Sequence, residues 1–113
     1  MSMTEKLAEI DTLLKQLHAE YPEETGSFLQ FMQKAEGGKA LDLRTKELIG
    51  VALAISAQCE WCIALHVQQA LKAGATRDEV MSAGFMAVMM HGGPALMYLT
   101  PLRHALDEFA AAG

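Results

Sequence analysis

The sequence is poor in aromatic residues, which make up 6% of its 113 positions, and has three prolines, two cysteines and no long uninterrupted apolar run. Scarce aromatics beside frequent methionine suit helix packing better than a β-sandwich core. Two cysteines are too few for a disulfide-stapled secreted scaffold. No stretch approaches the roughly 18–20 apolar residues that cross a bilayer, and the opening residues carry charge rather than a signal-peptide apolar segment. Basic residues are also short: 9 Lys and Arg against 14 Asp and Glu give a net charge of −5, with no basic cluster. A nucleic-acid-binding surface has no electrostatic support here. The expectation is a cytoplasmic protein with neither membrane nor nucleic acid as a partner.

What is present is an apolar content of 51%, eight methionines and 20% charged residues, a composition that builds a packed helical core. Leu7, Ile10, Leu14 and Leu17 recur at helical spacing in a first amphipathic segment, from Thr4 to about Glu20. Pro22 suits the first turn of a second helix, which Gly37-Gly38 ends. Asp42 is the N-cap expected for a third helix running to about Ser56. A fourth runs from about Cys59 to Ala73 and stops at Gly74. Thr76 and Glu79 form a capping box that opens a fifth, and the last helix is expected to kink at Pro101. The reading is an all-α, single-domain bundle of about six helices over residues 1–113.

The fifth helix, from Val80 to Met90, has almost no polar face. A helix apolar all round needs cover on all sides. In so short a chain a second subunit is the readier source of that cover, so a homo-oligomer is expected; full burial within one bundle is the alternative.

Chemistry concentrates in Gln58-Cys59-Glu60-Trp61-Cys62-Ile63-Ala64-Leu65-His66. Cys59, Cys62 and His66 are spaced i, i+3, i+7, which places them on one helical face. The first turn of a helix offers free N–H groups and the positive end of the dipole, which favour a thiolate. A disulfide needs Cβ atoms about 3.8 Å apart, closer than ideal i, i+3 neighbours, and a loosened first turn closes that gap. A reversible disulfide with His66 as proton partner is therefore open to this segment. A four-ligand zinc site would have to recruit His91, with three ligands on one helix, whereas zinc sites draw on two elements. Covalent haem fails because Ile63, not His, follows the second Cys. No strand precedes the pair, as a thioredoxin fold would require. Two buried small hydrophobes beside a satisfied histidine remain the bland alternative.

Glu47, twelve residues before Cys59, sits amid Leu48, Ile49, Val51, Leu53 and Ile55. It either returns to orient His66 or serves the dipole of its own helix. His91 either serves the C-terminal end of its helix or joins the active site, His18 and His104 are surface positions, and Tyr98 either packs in the core or lends its hydroxyl to the same pocket. Gly50 and Gly84 are read as places of close helix approach rather than function. Trp61 has three readings: it tunes the cysteine pair, shapes a pocket, or packs against a neighbouring subunit. The methionines from Met81 to Met90 are read as interface core.

The pattern Glu47-x11-Cys59-x2-Cys62-x3-His66, followed by Ala73-Gly74-Ala75-Thr76 and later by Gly92-Gly93-Pro94-Ala95, resembles the carboxymuconolactone decarboxylase family, in its alkylhydroperoxidase D branch. The resemblance runs from about Leu41 to the C-terminus. It implies an all-α trimer or hexamer acting as a thiol-dependent peroxidase or disulfide reductase. By it, Cys62 attacks a hydroperoxide, Cys59 resolves the sulfenic acid, and His66 and Glu47 relay protons. The partners implied are a hydroperoxide substrate and an external dithiol, lipoamide-type or thioredoxin-like, and no metal or cofactor is implied. One departure is Trp61, where alkylhydroperoxidase D carries a histidine. The same family holds γ-carboxymuconolactone decarboxylases that use no Cys pair, so a decarboxylase-like enzyme is the alternative, with a non-catalytic, redox-responsive assembly protein beside it.

Overall fold

The computed structural model describes residues 1–112 and, among them, contains helices and turns without strands. The order is α1 (Met3–Glu20), α2 (Pro22–Glu36), α3 (Leu43–Ser56), α4 (Glu60–Lys72), α5 (Arg77–His91), α6 (Gly93–Met97) and α7 (Leu99–Ala112). Among the described residues, no helix is long and apolar enough to cross a membrane.

The ends of these helices follow from local chemistry. Asp42 Oδ1 accepts the Thr45 N–H at 2.7 Å and starts α3. Thr76 and Glu79 exchange hydrogen bonds at 2.8 and 3.1 Å to start α5, which satisfies donors that the first turn leaves free. Pro22 stands first in α2. Gly74, at φ 94°, ends α4, with Ala75 N–H donating to Ala70 O at 2.9 Å and Gly74 N–H to Leu71 O at 3.1 Å, a Schellman closure.

The C-terminal helix departs from the expectation of a kink at Pro101. The break lies three residues earlier, at Tyr98, and divides the segment into α6 and α7. Pro101 is the third residue of α7, where a missing N–H costs nothing because the first-turn donors have no intrahelical acceptor.

The core lies between α3, α4, α5 and α7. Val51 and Ile55 of α3, Ile63 and Val67 of α4, Val80 of α5, and Leu102 and Leu106 of α7 are fully buried. Each such side chain contributes about 1.5–3 kcal/mol on leaving water. Ala64 and Ala70 keep the α4 surface thin, so α3, α1 and α7 all pack on it. Gly84 of α5 meets Leu99 and Leu102: a Cβ there would lie 2.8 Å from Leu102 Cδ2 and 3.0 Å from Leu99 Cδ2. The close approach expected at that glycine is observed. Tyr98 packs part-buried against the core, and His18 and His104 are exposed.

Full burial of α5 within one chain does not occur. Val80, Gly84 and Ala87 are buried and Met81, Ala83 and Val88 part-buried against the core, while Met89 and Met90 are 67% and 73% exposed, with Phe85 and Met86 beside them. One side of α5 faces the core and the other offers a continuous apolar strip.

The chain's two ends are tied together by a single carboxylate. Glu108 of α7 accepts the Met3 N–H at 3.0 Å and the Thr4 N–H at 2.9 Å, capping the start of α1 from the far end of the sequence.

Candidate functional site

The site is built on the turn between α3 and α4. Ala57 leaves α3, and Gln58 takes φ 55°, a left-handed conformation rare for a residue with a side chain. Gln58 N–H donates to Ile55 O at 3.0 Å and Cys59 N–H to Ala54 O at 3.1 Å. This is the closure seen at Gly74, executed here without glycine. It anchors the Cys59 backbone to the end of α3.

Cys59 is the N-cap of α4 rather than its first helical residue, a shift of one position from the expected start. Its backbone is extended (φ −114°, ψ 103°), and its Sγ accepts the Cys62 N–H at 3.1 Å. That break from helical geometry brings Cys59 and Cys62 to a Cα separation of 5.2 Å, joined as a disulfide, inside the usual range for such bonds. Cys62 is in the first turn, where the backbone donors and the dipole favour negative charge on sulfur once the pair is reduced.

The short turn folds α4 back along α3, so residues distant in sequence become neighbours. Glu47 Oε2 lies 3.0 Å from His66 Nδ1. The carboxylate is buried, with 3% of its side chain exposed against 25% for the imidazole. A buried carboxylate needs a partner, and His66 supplies one. Of the two sequence readings of Glu47, the return to His66 is the one observed.

Gly50 makes this pairing possible. A Cβ at that position would stand 2.6 Å from His66 Nδ1 and 2.9 Å from Cγ and Cε1, too close for the ring to stay. Its partner in close approach is thus the imidazole itself, a role that sequence reasoning assigned to helix packing alone. The signal was available: Gly50 is three residues after Glu47, on the same face of α3.

Glu47, Cys62 and His66 open together into a cavity of about 540 Å³, otherwise lined mainly by apolar side chains, among them Leu41, Ile49, Leu53 and Ala54. Lys46 stands at its edge, with Nζ donating to Ala35 O at 3.0 Å, to Glu36 O at 3.3 Å and to Gly37 O. It satisfies the free carbonyls at the end of α2 and fixes that wall of the cavity. Lys46 too was not singled out from the sequence. His91 is exposed at the end of α5 and does not line the cavity. Trp61 also stays out of it: its Nε1 donates to Glu9 Oε1 of α1 at 2.8 Å.

An all-helical bundle carrying a Cys-x-x-Cys pair at a helix start, with one sulfur and a buried Glu-His pair facing the same apolar cavity, defines a protein with a built thiol site. The chain belongs to the carboxymuconolactone decarboxylase family, whose model matches residues 22–102. A family member from Legionella pneumophila has the same fold at a TM-score of 0.90 and 41% identity, covering 95% of this chain and 96% of its own. A family protein from Thermotoga maritima, for which involvement in an antioxidative response has been suggested, superposes at a TM-score of 0.85 with 24% identity over 94% of this chain and 91% of its own. Uncharacterised protein 4 of the cox locus of Paracoccus denitrificans is 40% identical over 86 residues, covering 76% of this chain and 78% of that protein.

Proposed function

We propose that this protein is a thiol-dependent peroxidase and disulfide reductase of the alkylhydroperoxidase type. The observation that carries the reading is the convergence of Cys62, His66 and Glu47 on one cavity, with Cys59 joined to Cys62 behind it. In the reduced protein His66 takes the proton of the Cys62 thiol, and Glu47 holds the resulting imidazolium. The Cys62 thiolate attacks the outer oxygen of a hydroperoxide. The O–O bond breaks, the outer oxygen stays on sulfur with its hydrogen, the leaving alkoxide takes the proton from His66 and departs as an alcohol, and Cys62 is left as a sulfenic acid. The Cys59 thiol then displaces water from it and the disulfide forms. An external dithiol, lipoamide-type or thioredoxin-like, then gives up two electrons and two protons and restores both thiols. The apolar lining suits the organic part of an alkyl hydroperoxide.

The wider reading is of one domain over residues 1–113, cytoplasmic, assembled as a trimer or hexamer through the exposed strip of α5. The test is consumption of an alkyl hydroperoxide by the purified protein supplied with dihydrolipoamide. Turnover is expected, lost in Cys62→Ser, and reduced in Cys59→Ser to one equivalent of peroxide with a trappable sulfenic acid. Peroxide consumption unchanged in Cys62→Ser overturns the reading. Inert thiols in a protein that decarboxylates a muconolactone would replace it with the acid–base alternative.

A further inference from the structure

The two residues between the cysteines, Glu60 and Trp61, are both held by α1, a helix otherwise remote from the cavity. Trp61 Nε1 donates to Glu9 Oε1 at 2.8 Å. Lys6 Nζ stands 5.5 Å from the centre of the Trp61 ring and 3.8 Å from Glu60 Oε1. Lys6 and Glu9 are three residues apart, on one face of α1, and together bracket the first turn of α4. Lys6 is only 8% exposed, although lysine is almost never buried without a partner. The Glu60 carboxylate and the Trp61 ring face are the partners that the structure gives it. No step of the proposed mechanism uses any of these four side chains.

We propose that Lys6 and Glu9 are positioning residues for the Cys59–Cys62 pair and set the stability of its disulfide. The physical reason is the effective concentration of one sulfur at the other. Cys59 is outside the helix, held by its backbone to α3. Cys62 moves with the first turn of α4, which is the part of a helix with fewest internal hydrogen bonds. Fixing Glu60 and Trp61 to α1 keeps that turn in place when the S–S bond is cut, so the two thiols remain close. Loosening the bracket lets them separate, which favours the dithiol over the disulfide. The inference rests on the reading of Cys59 and Cys62 as a redox pair, but not on which oxidant they meet.

The experiment is equilibration of the full chain with dithiothreitol and its cyclic disulfide. Each turn of the reaction moves two electrons and two protons from the reagent dithiol to the protein disulfide. Free thiol is counted by alkylation, and in the variants that keep Trp61, the chain's single tryptophan, its fluorescence gives a second readout. The variants are Lys6→Met, which keeps the stem and removes the charge, Glu9→Leu, and Trp61→Phe, which keeps a ring and removes the donor. Each is expected to shift the equilibrium toward the dithiol by about three- to tenfold; a tenfold shift is about 30 mV for two electrons. Glu9→Leu combined with Trp61→Phe is expected to shift it little further than either alone, because both remove one hydrogen bond. Ser2→Ala, which loosens the α1 cap without touching the bracket, is expected to leave the midpoint in place. Midpoints within twofold of wild type for both Lys6→Met and Glu9→Leu overturn the proposal, as does an equal shift in Ser2→Ala. If the unaltered protein shows no reversible transition, the redox reading falls and this inference with it. If it shows one without peroxide turnover, only the peroxidase reading falls.

Discussion

Glu47 Oε2 and His66 Nδ1 lie 3.0 Å apart, one carried by α3 and the other by α4, nineteen residues away in sequence. The carboxylate is buried and the imidazole reaches the cavity. The carboxylate thus fixes, through its charge and its hydrogen bond, how the ring faces the cavity.

Replacing Glu47 by Gln keeps the shape and a hydrogen-bond acceptor but removes that charge. Peroxide turnover is expected to fall by about 10–100-fold, within the range of positioned acid–base groups, with the fold retained by circular dichroism. The pH profile should change shape, since the proposed proton relay would lose one of its two members. Turnover and pH profile both matching wild type would show that Glu47 only fills space.

Gly50 and Gly84 are both glycines in helix interiors, yet their replacement by Ala should fail in different ways. Gly50→Ala drives a methyl into the His66 ring and should reduce turnover at least tenfold while stability changes little, because helix propensity gains up to about 1 kcal/mol. Gly84→Ala presses on Leu99 and Leu102 in the core. Its overpacking cost of about 1–3 kcal/mol is partly offset by the same gain, so it should lower the unfolding midpoint and leave turnover per folded molecule intact. Measured kcat and denaturation midpoints for the two variants decide the matter; full activity in Gly50→Ala would refute the steric role given to that position.

Acid should unfold this protein through its helix caps. Backbone N–H groups donated by Thr4, Thr76, Thr45 and Ser2 hold the carboxyls of Glu108, Glu79, Asp42 and Glu5 below their ordinary values of 4.5 for Glu and 3.8 for Asp. A carboxyl whose value is lower folded than unfolded adds stability that is complete above the ordinary value and disappears as pH falls through the folded one. Thermal midpoints are therefore expected to be level in this respect from pH 7 to about 5 and to drop below about 4.5. Glu108→Gln should flatten part of that acid limb and expose the first turn of α1 to faster amide exchange, a result that midpoint and exchange measurements can check.

Glycine, proline and capping residues made most helix ends legible because each answers to chemistry a few residues away. The same left-handed closure occurs at Gly74 and at Gln58, but only the first is visible, since glycine takes a positive φ freely and glutamine does so against steric cost. The second closure places Cys59 outside α4, which is why the expected helix start was one residue early. Pro101 misled for a related reason: a proline marks a kink only when its helix has already begun, and α7 begins at Leu99. Trp61 was open to several readings because its partners, Lys6 and Glu9, lie more than fifty residues away.

The sequence by itself determined the all-helical class, the caps and the spacing of Cys59, Cys62 and His66, because helical periodicity and capping depend on near neighbours. Tertiary structure alone decided that Glu47 meets His66, that Gly50 clears the space for the ring, and that α1 grips the residues between the cysteines. Those contacts depend on how α1, α3 and α4 pack, and packing distance between helices leaves no periodic trace in any one of them.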